Sequence, residues 1–303
     1  MARTSQAQRV EGQVVKPGAR EMIPVPRIMV TLHRVGSDRA APLDSTRAYD
    51  QGKFAFSYQR SGDSSAVYFV SAIYGGIAYF TPPLTDSVVK GEGAEIAVYD
   101  TTSGPVPIGV RGHHVVVSAV DANSQRAVTE VYELANDTTV TRIARGADTG
   151  GPVWTALVPP TATGFQVAQG DIPAAAVAFR NSHVSVFAPI APGLAQLAFT
   201  YNVPASSFPL SVPVQQPTQI LEVLVEDEKG SVTGAKLTEK DPVVLERRSF
   251  RRFLADDVPQ NEISVIDLPA AVRTTIDPRY LVALTLVIGT TMIIVLARAL
   301  RRS

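Results

Sequence analysis

Apolar and polar residues alternate with a period of two along the first hundred residues. In the segment RIMVTLHRV, Ile28, Val30 and Leu32 fall on one side of an extended chain, while the residues between them fall on the other. The segments KFAFSY and VYFVSAIY repeat the pattern with aromatic residues at alternate positions. Period-two alternation is typical of strands that bury one face. Residues 9–100 are therefore predicted to form a compact antiparallel β-sandwich.

The order of four segments in this region resembles that of a known family. GQVV, PVPRIMVTL, YDQGKFAF and YFVSAIYGGIAYF follow one another as do the strands of the carboxypeptidase regulatory-like domain, a transthyretin-like sandwich. Asp50 and Gly52 stand one residue closer together than in the usual family pattern, which predicts a tighter turn. The resemblance implies a non-catalytic accessory or adhesion module at the N-terminus of a bacterial membrane-anchored protein.

A second region, residues 104–268, is also predicted to be rich in strands. Segments such as GHHVVVSAV, AVTEVYELAN and LAQLAFTYNVP carry the β-branched and aromatic residues that strands favour. LEVLVEDEKGSVTGAKL is predicted to form a hairpin whose turn holds Gly230. The proline-rich stretch 204–217 separates two small sandwiches in one interpretation and lies inside a single domain in the other. The expected fold class is all-β, with two or three tandem β-sandwich modules.

The C-terminal segment is of a different kind, because residues 280–297 contain no charged residue. A helix of this length spans roughly 27 Å, close to the ~30 Å hydrocarbon core of a bilayer. We therefore predict a linker over 269–279, a single transmembrane helix over 280–297 and a basic cytoplasmic tail over 298–303. Gly289 and Thr290 would let a neighbouring helix approach this helix closely.

The charges that flank this segment predict its orientation. Three arginines follow it, Arg298, Arg301 and Arg302, and the positive-inside rule places that side in the cytoplasm. The expected location is the bacterial inner membrane, crossed once, with the N-terminal body in the periplasm. The opening residues MARTSQAQRVEG contain no apolar stretch typical of a signal peptide. Either a leader precedes this sequence, or the body is cytoplasmic and the protein is tail-anchored.

The amino-acid composition limits the kinds of functional site that the chain can contain. The chain has no cysteine, which excludes disulfides and thiolate metal sites. Its formal net charge is zero, so the protein as a whole does not attract nucleic acid electrostatically. Asp148-Thr149-Gly150 matches the aspartic-protease signature, but it occurs once and in a polar context. His113 and His114 are adjacent and would point to opposite faces of a strand. We predict no catalytic residue, no metal, no cofactor and no small-molecule substrate.

A cluster of arginines lies about 28 residues before the apolar segment. Guanidinium groups bind anionic lipid headgroups and acidic protein surfaces. The cluster is therefore the predicted contact with the bilayer or with a partner protein. In the alternative interpretation the arginines lie on a solvated strand and pair with Glu246, Asp256 and Asp257. The six residues of the predicted contact are Arg247, Arg248, Phe250, Arg251, Arg252 and Phe253.

These features favour a structural or interaction protein over an enzyme. We expect a membrane-anchored accessory or scaffolding subunit that stabilises a multi-subunit membrane complex, such as an electron-transfer or photosynthetic assembly. Its partners would be other membrane proteins and the bilayer itself. A freestanding envelope adhesin or sensor is one alternative, and an enzyme whose site is assembled from scattered residues is another.

Overall fold

The computed structural model describes residues 7–145, 151–245 and 247–270. Within these ranges the chain forms strands and three single-turn 3₁₀ helices, Asp50–Gly52, Ala174–Ala176 and Ala205–Ser207, which confirms the all-β class. None of the helices in the described ranges is long and apolar enough to cross a membrane. The predicted transmembrane helix over 280–297, with Gly289 and Thr290, lies outside the described residues.

The chain divides into two compact units. Of the described residues, the first unit comprises those up to Thr102 together with Thr139–Thr141, and the second comprises the others from Ser103 onward. The strands that build the first unit are β1 (Ala7–Pro17), β2 (Met22–Pro24), β3 (Met29–Val35), β4 (Ala40–Arg47), β5 (Lys53–Gln59), β6 (Val67–Tyr74), β7 (Ile77–Phe80), β8 (Val88–Ala97) and β9 (Asp100–Thr102).

Two sheets form the first unit's core. In one sheet β1 pairs with β2 and β5, and β8 joins β1 in parallel; the other sheet has the antiparallel order β4-β3-β6-β7. The two sheets face each other, since the ring of Tyr58 in β5 stacks on that of Tyr68 in β6 with centroids 5.1 Å apart. Strand β9 forms a small two-stranded sheet with β12 (Val140–Arg142).

The predicted alternation is present in these strands. In β5 the residues Phe54, Phe56 and Tyr58 are buried and the residues between them are exposed. Strand β3 buries Val30 and Leu32 in the same way, but its third inward position is held by Arg34. A buried guanidinium needs partners, and Arg34 donates to the Ser61 carbonyl at 2.9 Å and pairs with Asp38 at 2.8 Å.

The second unit is built around a seven-stranded sheet of order β14-β17-β11-β10-β19-β22-β21. All its adjacent pairs are antiparallel except β10 with β19, which run in parallel. The strands of this sheet are β10 (Gly109–Val117), β11 (Gln125–Asn136), β14 (Thr163–Val167), β17 (Gly193–Pro204), β19 (Thr218–Val225), β21 (Thr238–Leu245) and β22 (Arg248–Val258).

Two three-stranded sheets supply side chains to the same core. One has the order β13-β16-β15 and the other β18-β23-β20. Trp154 from the first and Ile266 from the second belong to one buried cluster with Phe199 of β17. The strands of these two sheets are β13 (Trp154–Leu157), β15 (Val177–Arg180), β16 (His183–Val186), β18 (Leu210–Pro213), β20 (Ser231–Gly234) and β23 (Ile263–Asp267).

The hairpin predicted around Gly230 does not form in this unit. Gly230 has a φ of +115°, as expected for a turn glycine, but the strands on either side of it do not pair with each other. Strand β20 pairs with β23, whereas β19 pairs with β10 and β22. The hairpin prediction was therefore wrong, because pairing with strands distant in sequence replaced local pairing. The proline-rich stretch 204–217 joins β17 to β19, and both strands lie in the seven-stranded sheet.

Substitution of two leucines in β17 tests which face of this strand lies in the core of the second unit. Leu197 is fully buried, whereas 51% of Leu194 is exposed. Leu197→Ala should lower the free energy of unfolding by about 2–5 kcal/mol, because it removes buried methyl groups and leaves a cavity. Leu194→Ala should change it by less than about 0.5 kcal/mol. Urea unfolding followed by the fluorescence of the single tryptophan, Trp154, measures both values, and equal losses would contradict the assigned faces of β17.

Candidate functional site

A glutamate lies in the middle of the second unit's core. Glu130 of β11 is 1% exposed, and its carboxylate contacts three side chains from three strands. One oxygen lies 2.8 Å from His113 Nε2 and accepts a 2.8 Å hydrogen bond from the Tyr132 hydroxyl. The other oxygen accepts a 2.6 Å hydrogen bond from the Tyr201 hydroxyl. Both oxygens of Glu130 thus have partners within the protein, as a buried polar group requires.

The aromatic residues around Glu130 are tightly packed. The His113 ring stacks on Tyr132 with centroids 4.0 Å apart, and Trp154 meets Tyr132 edge-on at 4.8 Å. Burial, with the neighbouring negative charge of Glu130, raises the pKa of Tyr132 and of Tyr201 well above the usual value. The cavity beside His113 and Tyr132 measures about 10 Å³, which is the size of about one water molecule. This network therefore connects strands rather than opening onto a substrate-sized space.

A second network lies on the opposite face of the same sheet. His114 Nδ1 is 2.7 Å from one oxygen of Glu222, and Arg252 Nε donates to the other oxygen at 2.5 Å. Burial alone would raise the pKa of Glu222, but its bonds and charge interactions with His114 and Arg252 outweigh burial and lower it. The adjacent histidines thus point to opposite faces, as strand geometry predicts. Burial also raises the pKa of Glu133, which lies across from Gly112 on the His114 face.

The predicted arginine contact lies on β22 and in the turn before it. Arg248, Arg251 and Arg252 form ion pairs with Glu226, Glu239 and Glu222, respectively. These partners come from β21 and from the β19 strand and its end, not from Asp256 and Asp257 as the solvated-strand interpretation predicted; Glu246, its third predicted partner, lies outside the described residues. The reason is geometric, since β22 lies between β19 and β21 and cross-strand neighbours are closer than residues along the strand.

The two phenylalanines of the cluster face the interior. Phe250 and Phe253 are both buried, and the guanidinium groups of Arg248 and Arg251 lie 5.3 Å and 5.1 Å from their ring centroids. Arg247 is exposed in the turn before β22, with a φ of +68°. The cluster therefore presents paired guanidinium groups at the surface, and its aromatic residues hold the strand in place.

The remaining two histidines make separate contacts. His33 lies in the first unit, with Nε2 2.8 Å from the Ser71 hydroxyl, and His183 is exposed in β16. Asp148-Thr149-Gly150 lies outside the described residues. No group of three or more histidine, cysteine, aspartate or glutamate residues within the described ranges could hold a metal ion.

Comparisons with known proteins add little to this geometry. No family model matches the chain, and no curated protein matches it. Among solved structures, a "putative protease" from Parabacteroides distasonis ATCC 8503 is similar at a TM-score of 0.33 and 11% identity, over 54% of this chain and 40% of that one. The shaft pilin SpaA from Lactobacillus rhamnosus GG is similar at a TM-score of 0.22 and 13% identity, over 47% of this chain and 69% of that one. Scores this low carry no argument about function.

The raised pKa values of Tyr132 and Tyr201 predict a loss of stability in alkali. An unfolded tyrosine releases its proton near pH 10, while the folded, buried hydroxyl keeps it. The stabilising effect is complete below pH 10 and is lost as the pH rises from there towards the folded pKa. The free energy of unfolding should fall by up to about 1.4 kcal/mol per pH unit for each tyrosine.

The matched variant is the double change Tyr132→Phe and Tyr201→Phe. It removes both titrating hydroxyls, so its stability should depend less steeply on pH above 10 than that of the wild-type chain. Urea unfolding at several pH values between 9 and about 11.5, followed by Trp154 fluorescence, gives the two slopes. Identical slopes would mean that these hydroxyls are ionised or exposed in the folded protein, contrary to the network described above.

Proposed function

We propose that this chain is a non-enzymatic, membrane-anchored structural subunit. Its β-rich body lies at the periplasmic surface of the bacterial inner membrane, held by the C-terminal apolar segment with the final arginines in the cytoplasm. There it acts as an accessory or scaffolding subunit that stabilises a multi-subunit membrane complex, such as an electron-transfer or photosynthetic assembly. The first unit, in this proposal, is a carboxypeptidase regulatory-like module.

The observation that supports a structural role is that the buried histidine and glutamate side chains of the second unit bond to other residues of the protein. The Glu130 carboxylate bonds to His113 and to two tyrosine hydroxyls inside the core, beside a cavity of about 10 Å³. The Glu222 carboxylate bonds to both His114 and Arg252. A general acid or base must reach a proton on its substrate, whereas these groups reach across strands. They hold the sheet together.

The arginine cluster supports contact with an acidic surface. The pair between Arg251 and Glu239 lies near the solvent, with half of the Glu239 side chain exposed, and solvent screening makes exposed pairs of this kind weak. An acidic partner or an anionic headgroup could therefore replace Glu239 at little cost. Arg247, exposed in the adjoining turn, adds a second charge. Arg248 and Arg252, by contrast, hold half-buried or buried glutamates and serve the fold.

Anchoring and orientation can be tested in membranes of the native host. The full chain should remain in the membrane fraction after a carbonate wash, because about 18 apolar residues insert favourably into a bilayer. Protease added to intact spheroplasts should degrade the body while a cytoplasmic control protein survives. Release by carbonate would contradict the anchor, and degradation only after lysis would place the body in the cytoplasm.

The role of the exposed arginines needs variants that spare the fold. Arg247→Gln combined with Arg251→Gln in the full chain should reduce the amount that migrates with the native complex on a blue native gel several-fold. The reduction should grow between 0.1 M and 0.5 M salt, because screening weakens the remaining charge contacts. Arg180→Gln, at an exposed position of β15, is the matched control. Wild-type migration of the double variant at both salt concentrations would remove the arginines from the proposed contact.

A further inference from the structure

A buried arginine binds the backbone at the point where the described part of the second unit ends. Arg126 of β11 is fully buried. Its guanidinium donates to the Pro269 carbonyl at 2.7 Å, to the Asp227 carboxylate at 2.9 Å and to the Ser118 carbonyl at 2.8 Å. Because a buried guanidinium is costly to leave without partners, these contacts fix the backbone at Pro269 beside the turn that joins β10 to β11.

The residues just before Pro269 are held by the core of the same unit. Leu268 is buried and belongs to the main core cluster together with Ile266 of β23. Gly230 lies directly against this stretch, since a Cβ atom on it would lie 2.5 Å from the Asp267 carbonyl oxygen. Glycine permits so close an approach of two backbones. The chain is therefore fixed in the fold as far as the Arg126 contact, and it continues towards the predicted anchor from there.

Several turns lie at the end of the seven-stranded sheet that Arg126 occupies. The turn between β10 and β11 follows Val117, which pairs with Val225 at the end of β19. Val225 also pairs with Arg251 of β22, and Arg251 donates to the Gly230 carbonyl at 2.9 Å. These contacts place the turns side by side. We call this part of the second unit the exit end; it comprises residues 118–124, 226–230, 247–248 and 267–270.

The opposite end of the sheet is a full strand length away. There β19 begins at Thr218, which pairs with Val258 at the end of β22. Strand β22 contains 11 residues and therefore spans roughly 36 Å. Gln260, in the turn between β22 and β23, is exposed at this opposite end. The two ends of the sheet thus differ in position by about the length of one strand.

The length of chain between the exit end and the predicted anchor limits how the second unit can lie. Only the nine residues 271–279 separate Ala270 from Tyr280, where the apolar segment begins. Even a fully extended chain of this length reaches at most roughly 33–36 Å. The opposite end could therefore meet the bilayer only if these residues were stretched along the whole sheet. Every shorter path keeps the exit end closer to the bilayer than the opposite end.

The exit end carries charges of both signs. Lys229 and Arg247 are exposed there, and so are Glu228 and Asp267. An anionic bilayer surface attracts clusters of basic residues, whereas mixed charges of this kind give little net attraction. The length of the tether, and not the charge of the exit end, is then what brings this end to the lipid headgroups.

We propose that the exit end of the second unit faces the lipid bilayer and that the opposite end points away from it. This orientation rests on the proposed function, because it requires the C-terminal anchor. It adds which surface of the body lies next to the headgroups. Arg247 and Arg251, the exposed arginines of the proposed partner contact, then lie on the bilayer side of the body, so a partner meets them close to the membrane.

Energy transfer from single cysteines to labelled lipids tests this orientation, because the chain has no cysteine of its own. The full chain carrying Ala122→Cys at the exit end, or Gln260→Cys at the opposite end, is labelled with a donor dye; both positions are exposed. Each chain is reconstituted into vesicles of phosphatidylethanolamine and phosphatidylglycerol that carry acceptor dyes on their headgroups. Transfer should be at least about twofold more efficient from position 122, because the two ends differ by roughly 36 Å.

A longer tether is the matched control. Insertion of about 20 glycine and serine residues after Ala270 adds roughly 25 Å of reach, so the ratio of the two transfer efficiencies should fall towards one. Raising the salt from 0.1 M to 0.5 M should leave the ratio of the unmodified chain unchanged, because screening weakens charge contacts and not a tether. Equal transfer from the two positions, or more transfer from position 260, would overturn the proposed orientation. A ratio that survives the insertion but falls with salt would overturn the tether argument.

Flotation of the same vesicles after a carbonate wash separates the two proposals. A chain that floats with the vesicles and gives equal transfer from both positions contradicts the orientation and leaves the anchor intact. A chain that carbonate releases contradicts the anchor, and the orientation that rests on it falls as well.

Discussion

The buried carboxylate of Glu130 is the constraint on which the second unit depends. Because His113 and Tyr201 come from the two strands on either side of β11, which carries Glu130, their bonds to Glu130 can form in only one register of β10, β11 and β17. A slip of one residue would turn these side chains to the other face of the sheet and leave a bare charge in the core. Apolar packing alone tolerates many arrangements, whereas an unpaired buried carboxylate costs several kcal/mol. The network thus favours one strand register over others that would bury a similar apolar area.

Much of the fold could be predicted from the sequence, because alternation is a local signal. The buried positions of β3 and β5 follow from period-two patterning, with Arg34 as the exception. Its inward position is explained by Asp38 and the Ser61 carbonyl, which no periodicity reveals. The predicted hairpin at Gly230 was wrong for a related reason. Turn chemistry marks where a chain bends, but it does not say which sheet the next strand joins.

The site was harder to predict than the fold. Glu130 and His113 occupy inward positions in runs rich in valine, and a polar residue on an apolar face is a signal that the sequence does contain. Their partners are not visible there, because Tyr201 is 71 residues from Glu130 in the chain. The arginine cluster is evident in the sequence, but the sequence interpretation placed its ion-pair partners among nearby residues of the same segment. They lie across it, on the two neighbouring strands.

The parallel pairing of β10 with β19 has a consequence for how the chain is made. Residues 110–117 find their partners at residues 218–225, so the centre of the seven-stranded sheet cannot close until more than a hundred further residues have left the ribosome. Closing so long a loop is slow relative to forming hairpins. Until then β10 and β11 can pair only with each other and with β17, and one side of β10 stays open. The nascent chain would therefore keep one unpaired edge of β10 until β19 has been made, and a chaperone that covers β10 during that interval would protect it from aggregation.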